Sequence, residues 1–132
     1  MRADFVDTNV LVRYLTGEPS ELAERAVEIL DDPEPLTLSE LVLVETAYVL
    51  ESVYGVARAR IVDALIELVQ RRNLRPLHLS KAQICEALEL CRPSGRVSFT
   101  DALIWAQARE AGAERIYSFD RRFPDHGVEI SG

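Results

Sequence analysis

Short apolar runs alternate along the chain with longer stretches in which apolar residues recur every three or four positions. The first pattern fits a buried strand and the second an amphipathic helix. Ala3 to Val6 reads as a strand, and Thr8 to Leu15 as a helix stopped by Gly17 and Pro19. Ser20 is the expected N-cap of a helix from Glu21 to Leu30, with Leu22, Ala26, Ile29 and Leu30 on one stripe. Asp31 to Pro35 is a turn and Leu36 to Leu38 a second strand. Ser39 caps a helix reaching about Tyr54, where Gly55 offers a stop. The next helix spans Val56 to Arg72, with Ile61, Leu65, Leu68 and Val69 as its stripe.

Leu74 to Leu79 is extended and contains Pro76, which places it at a sheet edge. Ser80 to Cys91 is helical, Arg92 to Phe99 is a loop, and Thr100 to Ala111 is a helix ended by Gly112. Arg115 to Phe119 is a strand, and a last strand falls at Val128 to Ile130. Strands alternating with helices predict an α/β domain with a short, mostly parallel sheet flanked by helices. Two consecutive helices between Ser39 and Arg72 predict a helical hairpin beside that sheet. Residues 1–132 are expected to form a single domain.

Composition narrows the class. A chain that is 48% hydrophobic can build its core without a disulfide or structural zinc. Cys85 and Cys91 have no metal-ligand spacing and are expected as half-buried thiols of a reducing compartment. The N-terminus passes straight into ADFVD, without the apolar run of a leader. No segment approaches a membrane span, so the expectation is a cytoplasmic protein. The net charge of −7 argues against strong binding of duplex DNA.

The same acidity has a second reading if some carboxylates share a metal site. Ligands of an open parallel sheet bind at the carboxyl ends of its strands. Asp7 ends the first strand, Asp120 ends the strand from Arg115, and Asp101 opens the helix leading into it. Each also has a bland explanation: Asp7 as a helix cap, Asp101 as a first-turn acid after an N-cap at Thr100, Asp120 as a turn residue. Glu45 caps nothing and lies amid Leu41 to Val44 and Ala47 to Leu50, where it is either a ligand or an exposed residue on a largely buried helix. Four carboxylates suit Mg²⁺ or Mn²⁺, hard ions that promote attack on a phosphodiester. His78 and His126 lie in loop-like segments and are expected at the surface.

These residues fall in four segments that resemble PIN-domain proteins: FVDTNVLVRYL, SELVLVETAYVL, FTDALIWA and IYSFDRRF, in that order across the chain. The style is similar to the VapC-like toxin branch. The resemblance implies a PIN-like three-layer α/β domain and a Mg²⁺- or Mn²⁺-dependent endoribonuclease. It further implies hydrolysis by a metal-activated water, with inversion at phosphorus and a 5′-phosphate product. Asp7, Glu45, Asp101 and Asp120 would be its acidic quartet, supported by Asn9 and Ser118. It also implies an RNA substrate, a small antitoxin protein and a homodimer; the apolar surplus from Leu41 to Val69 points to the dimer as well.

Fourteen of the fifteen basic residues are arginines. Arg13, Arg92, Arg96, Arg121 and Arg122 fall near the expected active edge, with Arg13, Arg121 and Arg122 the candidates for RNA. Arg25, Arg58 and Arg60 are expected to be merely solvated. Three alternatives remain: an RNA-processing nuclease without an antitoxin, a phosphotransfer domain with Asp7 as nucleophile, and a non-catalytic interaction module. The second lacks the expected second aspartate, since Asn9 stands there, and Lys81 is the only lysine.

Overall fold

Nine residues separate Gly17 from Asp7, and they form the first helix because both ends are marked. Asp7 is extended at φ −95°, and Gly17 takes the left-handed φ of 74°, returning its N–H to the Arg13 carbonyl. The computed structural model describes residues 4–132. Its elements are α1 (Thr8–Thr16), α2 (Ser20–Asp31), β1 (Leu36–Leu38), α3 (Glu40–Ser52), α4 (Arg58–Val69), β2 (Leu74–Pro76), α5 (Lys81–Leu90), α6 (Phe99–Glu110), β3 (Arg115–Tyr117) and β4 (Glu129–Ser131).

All strand pairings are parallel. β1 pairs with β2, Leu36 opposite Leu74 and Leu38 opposite Pro76. On its other side Thr37 bridges Phe5, donating to Asp4 O at 2.6 Å and accepting from Val6 N at 3.2 Å. β2 is thus an edge, where a proline without an N–H is tolerated. β3 and β4 form a separate pair. The expected single sheet is therefore, among the described residues, a three-membered array and a detached pair. Strands of three residues supply few ladder bonds, so helix packing carries the architecture. Of the expected strand from Ala3 to Val6 only Phe5 pairs, and Ala3 lies outside the described residues.

α1 packs on α2 and α3, α3 on α4 and α6, and α5 on α4 and α6. The α3–α4 pair is the expected hairpin. Ile61, Leu65, Leu68 and Val69 are buried along α4, as their spacing predicts. They meet Leu11, Leu30, Leu43, Ile84 and Trp105 in one core, each large apolar side chain contributing about 1.5–3 kcal/mol. The stripe of α2 is rotated from the expected one. Ala23, Ala26 and Leu30 face inward, whereas Leu22 is exposed and Ile29 only half-buried. α2 contains Ser20 as its first residue rather than as a cap, and α6 is capped by Ser98, not Thr100.

Two polar ties fix the helices to the sheet. Arg71 donates to Tyr14 Oη at 2.9 Å, Leu30 O at 3.0 Å and Asp31 Oδ1 at 2.6 Å, closing the open end of α2. Glu40 is 3% exposed at the start of α3, and its carboxylate accepts N–H bonds of 3.0 Å from both His78 and Leu79. Replacing it leaves the amides of His78 and Leu79, the second of them buried, without that acceptor. Glu40→Ala is expected to lower stability by about 2–4 kcal/mol in urea titrations, with Glu40→Gln between it and wild type; equal stability of Glu40→Ala and wild type would show that the tie carries no load.

Candidate active site

Parallel pairing puts the carboxyl ends of the Phe5 segment, β1 and β2 on one edge, and Asp7 leaves the first of these directly into α1. Although Asp7 is the N-cap residue, its side chain makes no capping bond; only its carbonyl is used, accepting from Val10 N and Leu11 N. The cap explanation therefore fails for this carboxylate, which is exposed. Next to it, Thr8 Oγ1 is buried and has no hydrogen-bond partner.

Glu45 lies in the second turn of α3 and is exposed. The helix around it is not buried all round: Leu41 is 82% exposed and Tyr48 67%, one turn to either side on the same face. Asp101 is the third residue of α6, where Ser98 Oγ accepts its backbone N–H at 3.0 Å. Among the described residues, the carboxylates of Asp7, Glu45 and Asp101 have no hydrogen-bond or ion-pair partner.

Asp120 differs. Its Oδ1 accepts the backbone N–H of Arg122 at 2.8 Å and Arg122 Nε at 3.4 Å, and its own N–H donates to Ser118 Oγ at 3.1 Å. This is a side-chain-closed turn, so its turn explanation holds in part. The Arg122 amide first, then the guanidinium, holds its carboxyl below the usual aspartate range.

α1 packs on α3 and α3 on α6, so the helices carrying Asp7, Glu45 and Asp101 are successive neighbours. Asp120 follows β3, which contacts α6. Among the described residues no three His, Cys, Asp or Glu side chains stand close enough to share one metal ion. The four acids lie on adjoining elements without meeting at a point. The donor chemistry nevertheless suits a hard divalent cation: all oxygen, with three carboxylates unclaimed and an orphaned hydroxyl beside Asp7. Cysteine is no competitor. Burial pushes the Cys91 thiol up to about 11, Arg58 opposing and Glu51 and Asp101 adding.

The supporting and basic positions separate clearly. Asn9 is exposed on α1, and Ser118 holds the Asp120 turn through the backbone. Arg13 spends Nη1 on Glu18 O and Tyr54 Oη. Arg92 pairs with Asp63 and Glu89. Arg121 and Arg122 are exposed beside Asp120. Arg58, expected to be solvated, has a side chain only 15% exposed and is fully engaged. Its position three residues beyond Gly55, at the start of an apolar helix, gave no sign of this.

The PIN domain profile matches residues 5–129. The chain belongs to the PIN domain family. The match spans all four acids and carries the coarse assignment of a nuclease domain. Among solved structures the chain is similar to the Mycobacterium tuberculosis toxin VapC20, which cleaves the sarcin-ricin loop. They are 26% identical over 96% of each chain, with a TM-score of 0.41. No curated protein matches. No helix of the described residues is long and apolar enough to cross a membrane.

The Asp120 turn yields a measurable order of causes. Its depressed carboxyl favours the folded state above the unfolded aspartate value, a contribution lost as pH falls through the lower folded value. Because the Arg122 amide is the larger cause, Arg122→Ala should leave most of the depression in a side-chain NMR titration. A return to the ordinary aspartate value in that variant would mean that the guanidinium dominates.

Proposed function

We propose that this PIN domain is a Mg²⁺- or Mn²⁺-dependent endoribonuclease, the toxin of a toxin–antitoxin pair, acting in the cytoplasm and restrained by a small antitoxin protein. The supporting observation is that Asp7, Glu45 and Asp101 keep their carboxylates unbonded within a chain that matches the family from residue 5 to residue 129. Asp7, Glu45, Asp101 and Asp120 would hold the ion, which when bound screens the phosphodiester charge and eases removal of a proton from the attacking water.

The chain's own contribution is placement. Asp7 and Asp101 stand at the N-terminal ends of α1 and α6, where helix dipoles offset the repulsion of gathered acids and favour a phosphate. Ser118 holds the Asp120 backbone, while Asn9 is free to bond a carboxylate or water. Arg121, and Arg122 through the guanidinium nitrogens not turned to Asp120, would hold flanking phosphates, whereas Arg13 is already engaged. The net charge of −7 favours RNA held at this local site over duplex DNA bound by a broad basic surface.

Purified protein should cleave RNA in Mg²⁺ or Mn²⁺ and stop in EDTA. Asp7→Asn should cost roughly a hundredfold or more in rate while keeping its fold, since it removes charge without changing shape. Wild-type cleavage by Asp7→Asn, with contaminants excluded, would remove Asp7 from the site.

We further propose a symmetric homodimer through α3. Between Leu41 and Val69 the stripe of α4 is buried, which leaves the apolar surplus of that segment at Leu41 and Tyr48, with Val53 70% exposed just past the helix end. Leu41 and Tyr48 flank Glu45, so the seam would run beside the site. Sedimentation of the wild type should give a dimer at micromolar concentration, and Tyr48→Glu a monomer. A monomeric wild type would dispose of the dimer.

A further inference from the structure

Arg58 opens α4 and makes contacts in three directions. Its Nη1 donates to Val97 O at 2.7 Å and, more weakly, to Cys91 O at 3.4 Å. Its Nη2 pairs with Glu51 Oε2 at 3.3 Å. The guanidinium carbon stands 4.7 Å from the centroid of the Phe99 ring. A lysine could supply the ion pair but not the planar stack on Phe99.

The partners are what give this cluster meaning. Val97 and Phe99 flank Ser98, the cap of α6, and Ser98 Oγ receives the Asp101 N–H at 3.0 Å. Glu51 lies in the last turn of α3, on the helix that carries Glu45. Asp101 itself has an unbonded carboxylate, so its place is set only through the backbone of the first turn of α6. Arg58 thus ties Glu51 of α3 to the backbone that leads into the first turn of α6.

We propose that Arg58 is a positioning residue, clamping the first turn of α6 to the end of α3 and thereby setting where Asp101 stands relative to Glu45. This rests on the metal-dependent nuclease proposed above. Arg92 is the natural control. It too joins α4 to a neighbouring segment, through Asp63 at 2.8 Å and Glu89 at 2.8 Å, but among the described residues it has no bond to α6.

The test is Mn²⁺ titration calorimetry on the full chain, well below each variant's melting temperature. Wild type should bind. Arg58→Ala should weaken Mn²⁺ binding by about tenfold or more, the range for groups that orient metal ligands, and Arg58→Lys by less. Arg92→Ala, whatever stability it loses, should bind as wild type does. In an Asp101→Asn background, Arg58→Ala should add little, because Arg58 acts through Asp101. Undiminished Mn²⁺ affinity in Arg58→Ala, with only its melting temperature lowered, would make the clamp purely structural and overturn the proposal. Should Arg58→Ala not fold, Arg58→Lys decides, and wild-type affinity there also overturns it. A folded wild type that binds no Mn²⁺ overturns the metal site itself, and the positioning role with it.

Discussion

The peptide of Thr37 is the point on which the arrangement turns. Its N–H and C=O both bond the segment from Asp4 to Val6, while the flanking peptides of β1 bond toward β2. No other ladder contact holds Phe5 among the described residues. Among the described residues, that bridge and the packing of α1 on α2 and α3 aim Asp7. Two backbone bonds are a slender anchor, so the helices take over. Leu11 and Val12 bury one face of α1, and the Arg71 tie reaches Tyr14 on another.

Most of the fold was legible where periodicity was long. The α4 stripe and the Ser39 cap each follow from side-chain pattern alone. Short elements were less readable. A three-residue strand has no period to detect, and the sequence does not encode whether Arg115–Tyr117 joins the Phe5 array or stands with Glu129–Ser131. The rotated face of α2 has a similar origin, since Leu22 and Ala23 are both apolar and only packing chooses between them.

The candidate site divides along the same line. Acids at element ends were visible because chain topology puts such positions on one edge. Whether each carboxylate is spent on a cap or a turn depends on hydrogen-bond geometry. Asp7 declines the cap it could make, whereas Asp120 closes its turn. Arg58 was invisible because its partners include carbonyls at Cys91 and Val97, and a backbone acceptor carries no sequence signature.

Four of the long polar ties nearly share a length. Arg13 reaches Tyr54, Arg71 reaches Leu30, Glu40 reaches His78 and Arg58 reaches Val97, with separations of 41, 41, 38 and 39 residues. Loop-closure entropy grows only with the logarithm of length, so the four closures cost nearly the same. They are also staggered along the chain. A polypeptide emerging N-terminus first from the ribosome can make the Tyr54 contact before Leu79 exists, and the Glu40 contact before Phe99 exists. The last of these ties to become possible is the one to α6, so the helix that carries Asp101 is fastened only after the helices beneath it are in place.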